Sequence, residues 1–152
     1  ADLQRFIDHN NIEAAILSMQ MQTSTVAEAA GALEVQTTQI IKSLVFITPE
    51  EPLLVINNGL TRVDRRKLAL CLGFGRKRVK LANSDQALEI TGYIVGAMPP
   101  FGHRKKLRTL VDSAVTGLGT VFGGGGDINA MIRISASELF RVTGAEILDI
   151  SE

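Results

Sequence analysis

Three places in this chain carry residue types able to do chemistry. The first is Lys42, inside the run Ile40-Ile41-Lys42-Ser43-Leu44-Val45. An ammonium among apolar neighbours is costly if it points inward, so such a lysine either snorkels to water or is held for a task. Held in a partly dry pocket, it would fix a carbonyl or phosphate oxygen, a contact that gains strength away from bulk water. Ser43 points to the opposite face of a regular strand, and joins Lys42 at one site only if the strand starts there or bulges. The second place is Gly96-Ala97-Met98-Pro99-Pro100-Phe101-Gly102, followed by His103-Arg104-Lys105-Lys106. Paired prolines fix φ and remove donors, which leaves a stiff loop whose free backbone groups could hold a substrate. The same composition also marks an ordinary surface turn. The third is Gly123-Gly124-Gly125-Gly126-Asp127. Four glycines let backbone amides approach an anion or a ribose, and they equally suit a mobile hairpin tip.

Several chemistries find no support. No Lys-Ser or Lys-Thr pair follows the glycines as a phosphate-binding P-loop requires, and Gly117-Leu118-Gly119 lacks the third glycine of a dinucleotide fingerprint. The two histidines, His9 and His103, lie far apart without a carboxylate pattern, so no metal is expected. Nothing resembles a nucleophile elbow, and His103 reads equally as an exposed loop histidine. Cys71 is the one cysteine and is expected to pack in the core on the apolar face of Leu68-Ala69-Leu70-Cys71-Leu72. Six Phe, one Tyr and no Trp argue against an aromatic platform for single-stranded RNA.

Charge is balanced overall, with 16 basic and 16 acidic residues, but it is segregated. Between Arg62 and Arg108 there are twelve basic side chains against Asp64, Asp85 and Glu89, which leaves that span at +9. A polyanion facing this third of the chain is one reading, and separately solvated basic turns are the other. The 152 residues, 45% hydrophobic and 21% charged, suit one soluble domain with a real core. No apolar run is long enough to cross a membrane, and the first residues lack the pattern of a signal peptide, so a cytoplasmic location is expected.

The elements that must position these groups follow from local signals. Asp2 opens a helix to about His9, and Ala14 to Met19 reads as a strand. Thr25 with Glu28 forms a capping box for a small-residue helix from Val26 to Leu33. Strands are expected over Ile40–Ile47 and Leu53–Ile56, with Thr48 to Pro52 as a turn and Asn57-Asn58-Gly59 as a second, tight one. Helices follow over Asp64–Leu72, stopped by Gly73, and over Asp85–Ile90. The final third reads as strands at 108–112, 118–122 and 130–134, a helix at 135–142 and a last short strand. This irregular interleaving predicts one compact α/β (α+β) domain: a mixed, mostly antiparallel, barrel-like sheet with peripheral helices.

Taken together, Lys42-Ser43, the Gly96-to-Gly102 loop and the late glycine turn resemble the YbaK/EbsC/ProX family of aminoacyl-tRNA deacylases. The resemblance spans nearly the whole chain, and Lys42 with Gly96-x-x-x-Pro100 carries most of it. It implies a free-standing trans-editing hydrolase without cofactor or metal. Such an enzyme cleaves the ester of mischarged aminoacyl-tRNA, most often tRNA for proline bearing cysteine, alanine or another small amino acid, and prolyl-tRNA synthetase is an implied partner. Lys42 would hold the aminoacyl end or the terminal adenosine. Gly96 and Pro100 would frame a loop whose backbone orients water or substrate. Ser43, Ala97, Met98, Pro99, Phe101, Gly102, His103, Gly124, Gly125 and Asp127 would complete the binding site. Two differences stand out: Ser43 replaces the threonine common after the lysine, and the late turn carries glycines and Asp127 where better-known members have a basic residue. The competing reading is a tRNA- or nucleotide-binding module of the same fold that hydrolyses nothing.

Overall fold

The computed structural model describes residues 2–19 and 25–152. Five α-helices lie among them: α1 (Asp2–His9), α2 (Val26–Leu33), α3 (Arg65–Leu72), α4 (Ser84–Thr91) and α5 (Ala136–Thr143). Eight strands complete the fold: β1 (Ala14–Ser18), β2 (Ile41–Ile47), β3 (Pro52–Asn58), β4 (Lys80–Leu81), β5 (Arg108–Asp112), β6 (Thr120–Gly124), β7 (Ala130–Ser135) and β8 (Glu146–Leu148). No helix of the described residues is long and apolar enough to cross a membrane.

The strands form a three-stranded sheet, β1-β7-β6, and a five-stranded sheet, β4-β2-β3-β5-β8. The first is antiparallel throughout, while β3-β5 and β5-β8 in the second are parallel. The mixed, mostly antiparallel reading therefore holds, but the sheets do not close into a barrel. They meet at an isolated parallel bridge between Ile40 and Phe122. The core follows the pleat of β2 and β3. Ile41, Val45, Leu54 and Ile56 face one apolar cluster, and Leu44, Phe46, Leu53 and Val55 face another that α3 covers with Leu68. Leu53 to Ile56 are at most 1% exposed, as expected for a central strand covered on both faces.

Local signals placed most boundaries because the caps are made. Thr25 Oγ1 accepts from Glu28 N, Asp64 Oδ1 from Arg66 N, Asn83 Oδ1 from Gln86 N and Ser135 Oγ from Glu138 N. Three readings require correction. Asn57 and Asn58 belong to β3 rather than to a tight turn, because β2 pairs with them through Lys42 and Ile41. The reversal comes later, where Asn58 Oδ1 accepts from Leu60 N and Thr61 N. Gly123 and Gly124 are strand, not a flexible tip, since they pair with Ile132 and Met131. Cys71 is exposed, because the buried stripe of α3 runs through Leu68 and Ala69. The short strand β4 carries no sequence signal of its own.

The chain end is latched by one carboxylate. Asp112 is 2% exposed; its Oδ1 accepts from Ile150 N and Ser151 N, and its Oδ2 from Ala114 N. Asp112→Ala would strand the buried amides of Ile150 and Ser151, each at a cost of about 1–3 kcal/mol, while the amide of exposed Ala114 can turn to water. We expect a loss of at least about 2 kcal/mol in denaturant unfolding and rapid proteolysis after Ile147, with Asp112→Asn intermediate.

Candidate active site

The groups singled out in the sequence converge at the seam between the sheets. A pocket of about 220 Å³ is lined by Lys42, Ser43, Gly96, Met98 and Gly124, with Thr25, the N-cap of α2, and the α2 residues Val26 and Ala29. Lys42 and Ser43 reach it from opposite faces of β2 because the pocket lies along an open strand edge. β4 pairs only with Phe46 and Ile47, and Ala82 N donates to Val45 O, so among the described residues the first half of β2 has no ladder partner on that side. A strand edge exposes side chains of both faces to the same space, and no bulge is needed.

Lys42 is half-buried and lies opposite Asn57 on β3. Its Nζ donates to Thr61 O at 3.1 Å, and Asn57 Nδ2 donates to the same carbonyl at 2.9 Å. Burial, and secondly the nearby Arg62 guanidinium, lowers the Lys42 pKa below its ordinary value. The Thr61 carbonyl therefore aims an ammonium that the pocket has partly stripped of water. Asn57 is fully buried, and its Oδ1 has no hydrogen-bond partner among the described residues. It is a polar group beside the lysine that the sequence reading assigned to a turn.

The proline loop is internal, not a surface turn. Ala97 to Phe101 are buried. The loop opens at Gly96 with φ +95°, a value side-chain-bearing residues rarely adopt. Two of its carbonyls are taken rather than free: Gly126 N donates to Ala97 O at 2.9 Å, and His103 Nε2 donates to Pro99 O at 2.8 Å. Gly124 packs backbone against backbone on the loop, and a Cβ added there would lie 2.2 Å from Met98 O. The glycine turn thus serves as a tight clamp on the loop.

The remaining residues separate. Ala97 is fully buried within the loop, and Gly125 is buried against Ala130. Asp127 is exposed and accepts from Ile128 N through Oδ1, outside the pocket lining. Pro100, Phe101, Gly102 and His103 line a different cavity on another side of the loop. Pro99 lines neither. Thr25 and Val26 are pocket residues the sequence reading missed. The small residues of α2 signalled close packing, but not what they pack around.

His103 is largely buried, and burial lowers its pKa, with the bond to Pro99 opposing the shift. A folded-state value below the unfolded one means the unfolded chain binds the proton more readily. Stability is then complete above about pH 6.5 and falls as pH drops from there through the lowered value. Thermal melts from pH 7.5 to 5 should show this decline, and His103→Gln should flatten it. An equal decline in the variant would remove His103 as the cause.

Of the twelve basic side chains in the middle span, several are engaged. Arg108 pairs with Glu146 and Glu51, Lys67 with Asp149, and Arg104 donates to Glu89 O. Arg76, Lys77, Arg78 and Lys80 are exposed and make no ion pair with described residues.

Comparison with known proteins bears on this geometry. The family model for the aminoacyl-tRNA editing domain matches residues 20–142. The chain is 27% identical over 130 residues to the uncharacterized protein YwhH of Bacillus subtilis, covering 85% of this chain and 81% of that one. It is 32% identical over 100 residues to proline–tRNA ligase of Lactobacillus gasseri, covering 66% of this chain but only 17% of the ligase. A crystal structure of hypothetical protein APE2540 superposes with a TM-score of 0.92 at 32% identity over 100% of both chains. A protein proposed as a trans-editing enzyme for prolyl tRNA synthetase superposes with a TM-score of 0.90 at 28% identity, covering 99% of this chain and 97% of that one. With its fold, its Lys42 pocket and a family match over most of its length, this chain belongs to the aminoacyl-tRNA editing domain family.

Proposed function

We propose that this protein hydrolyses the ester of mischarged aminoacyl-tRNA, with tRNA for proline bearing cysteine, alanine or another small amino acid as substrate. The observation that carries this reading is the meeting of Lys42, Gly96 and Gly124 at one small pocket in a chain of the editing family. A pocket of about 220 Å³ suits a small aminoacyl group rather than a bulky one.

The chemistry asks little of the protein. A water oxygen attacks the ester carbonyl carbon, the bond to the ribose oxygen breaks, and the amino acid and a free terminal hydroxyl leave. The ester is already activated, so positioning and stabilisation of the developing oxyanion can supply the rate. Lys42, directed by the Thr61 carbonyl, holds the terminal ribose or the ester oxygen. The loop from Gly96 to Pro100, clamped by Gly124, sets the distance across the pocket. Ser43 supplies a hydroxyl on the same edge.

The test is a deacylation panel with Cys-, Ala-, Ser- and Pro-charged tRNA for proline. Selective turnover of at least one of the first three, with Pro-tRNA spared, is expected. Binding of all four without turnover would leave a binding module in its place.

A further inference from the structure

The Lys42 pocket is one of several cavities among the described residues. A second one, of about 340 Å³, opens where α1, the proline loop, the approach to β5 and the end of α5 meet. It falls within the range of small-molecule sites. Its apolar wall holds Phe6 and Phe101, whose rings stack with centroids 5.8 Å apart and planes 29° apart. Two of the six phenylalanines are thus paired beside one cavity, although the chain as a whole is poor in aromatics.

The polar part of the lining is basic. Lys106 and Arg141 contribute to it, and neither Asp nor Glu does. Lys106 is exposed and makes no ion pair with any described residue. Arg141 is paired with Glu138 through Nε and Nη2, Nη2 also donating to Asn11 O at 3.5 Å, and among the described residues its Nη1 has no partner. His103 completes the wall. Because a carbonyl can only accept, the bond to Pro99 O puts the His103 hydrogen on Nε2 and makes Nδ1 an acceptor. Asn10 adds a side-chain carbonyl and amide, the amide donating to Phe6 O.

An apolar aromatic wall, a cationic rim and neutral donors and acceptors between them match a planar heterocycle that carries a phosphate. We propose that this cavity binds one nucleotide, with its base against the Phe6–Phe101 wall and its phosphate on Lys106 and Arg141. Stacking on aromatic faces next to basic side chains is how proteins hold unpaired nucleotides. The source is either a free nucleotide or one residue of the RNA strand whose end enters the Lys42 pocket. The second option rests on the function proposed above. The two cavities share the loop, since Met98 lines one and Pro100 the other.

The test uses the full chain with 5′-CMP and 5′-AMP as probes, followed by chemical-shift perturbation. The expected result is saturable binding that shifts Phe6, Phe101 and His103 resonances, and at least a tenfold weaker Kd in Lys106→Glu. Lys106 is exposed, so that variant folds. Asn10→Ala should weaken binding to a lesser degree. Uncharged tRNA for proline then separates the sources. If it displaces the nucleotide, the site takes a residue of the strand; if both bind together, the site takes a free nucleotide. No binding at millimolar nucleotide, or binding indifferent to Lys106→Glu, overturns the proposal. Neither readout needs turnover, so nucleotide binding without deacylation would sink the hydrolase reading alone.

Discussion

Lys42→Met is expected to lower kcat/KM for deacylation by at least about 100-fold, equivalent to about 2.7 kcal/mol of lost transition-state stabilisation. The same substitution should leave the thermal midpoint unchanged or raised. These two effects separate because the lysine is placed against the fold's own preference. Burial lowers its pKa below the ordinary value, so the folded state holds the proton less tightly than the unfolded chain does. That penalty is fully present at neutral pH and is relieved as pH rises through the lowered value towards 10.5. Methionine fills similar volume without a charge, so the penalty disappears along with the function. The Thr61 carbonyl loses one of its two donors but keeps Asn57 Nδ2. Deacylation assays beside thermal melts check both halves. Retained activity in a folded variant would remove Lys42 from the mechanism.

Gly124→Ala should damage both stability and activity. The new Cβ would lie 2.2 Å from Met98 O, 2.7 Å from Met98 C and 2.9 Å from Ala97 C. All three are backbone atoms, so no rotamer change relieves the clash and either β6 or the loop must move. Overpacking of this kind costs about 1–3 kcal/mol, which lowers the midpoint by roughly 2–12 °C in a domain of this size. The larger consequence is positional. Movement of Met98 widens or tilts the pocket wall, and a displacement of about 1 Å can cost about 100-fold in rate. Gly117→Ala is the matched control, because nothing lies within 4 Å of its added Cβ and its φ needs no glycine. A Gly124→Ala protein with wild-type kcat/KM would show that the loop position does not set the chemistry.

Both effects depend on contacts of different legibility. Lys42 stands out in the sequence because a charge interrupts an apolar run. Its opposite number, Asn57, was hidden, since Asn-Asn-Gly is strong turn chemistry and only pairing with β2 overrides it. Gly124 reads as one of four equivalent glycines, and what distinguishes it is a loop nearly thirty residues away in the chain. Cys71 shows the same limit. Its neighbours are apolar, but the rotation of α3 about its axis, set by Leu68 against β3, leaves it in water.

The sequence by itself determined what few-residue rules control. Caps at Thr25, Asp64, Asn83 and Ser135 start helices where they stand, and Gly73 and Gly144, both with positive φ, stop two of them. It also marked Lys42 and the proline loop as places where those rules are broken. Only the tertiary structure decided that the two belong together. Their meeting depends on the Ile40–Phe122 bridge that joins two sheets, and on β4 being too short to cover the start of β2. It also divided the loop between two cavities, giving Gly96 and Met98 to one and Pro100 to His103 to the other. No local signal encodes such an assignment. The direction in which a buried loop faces is set by what packs on each side of it, and those partners come from both ends of the chain.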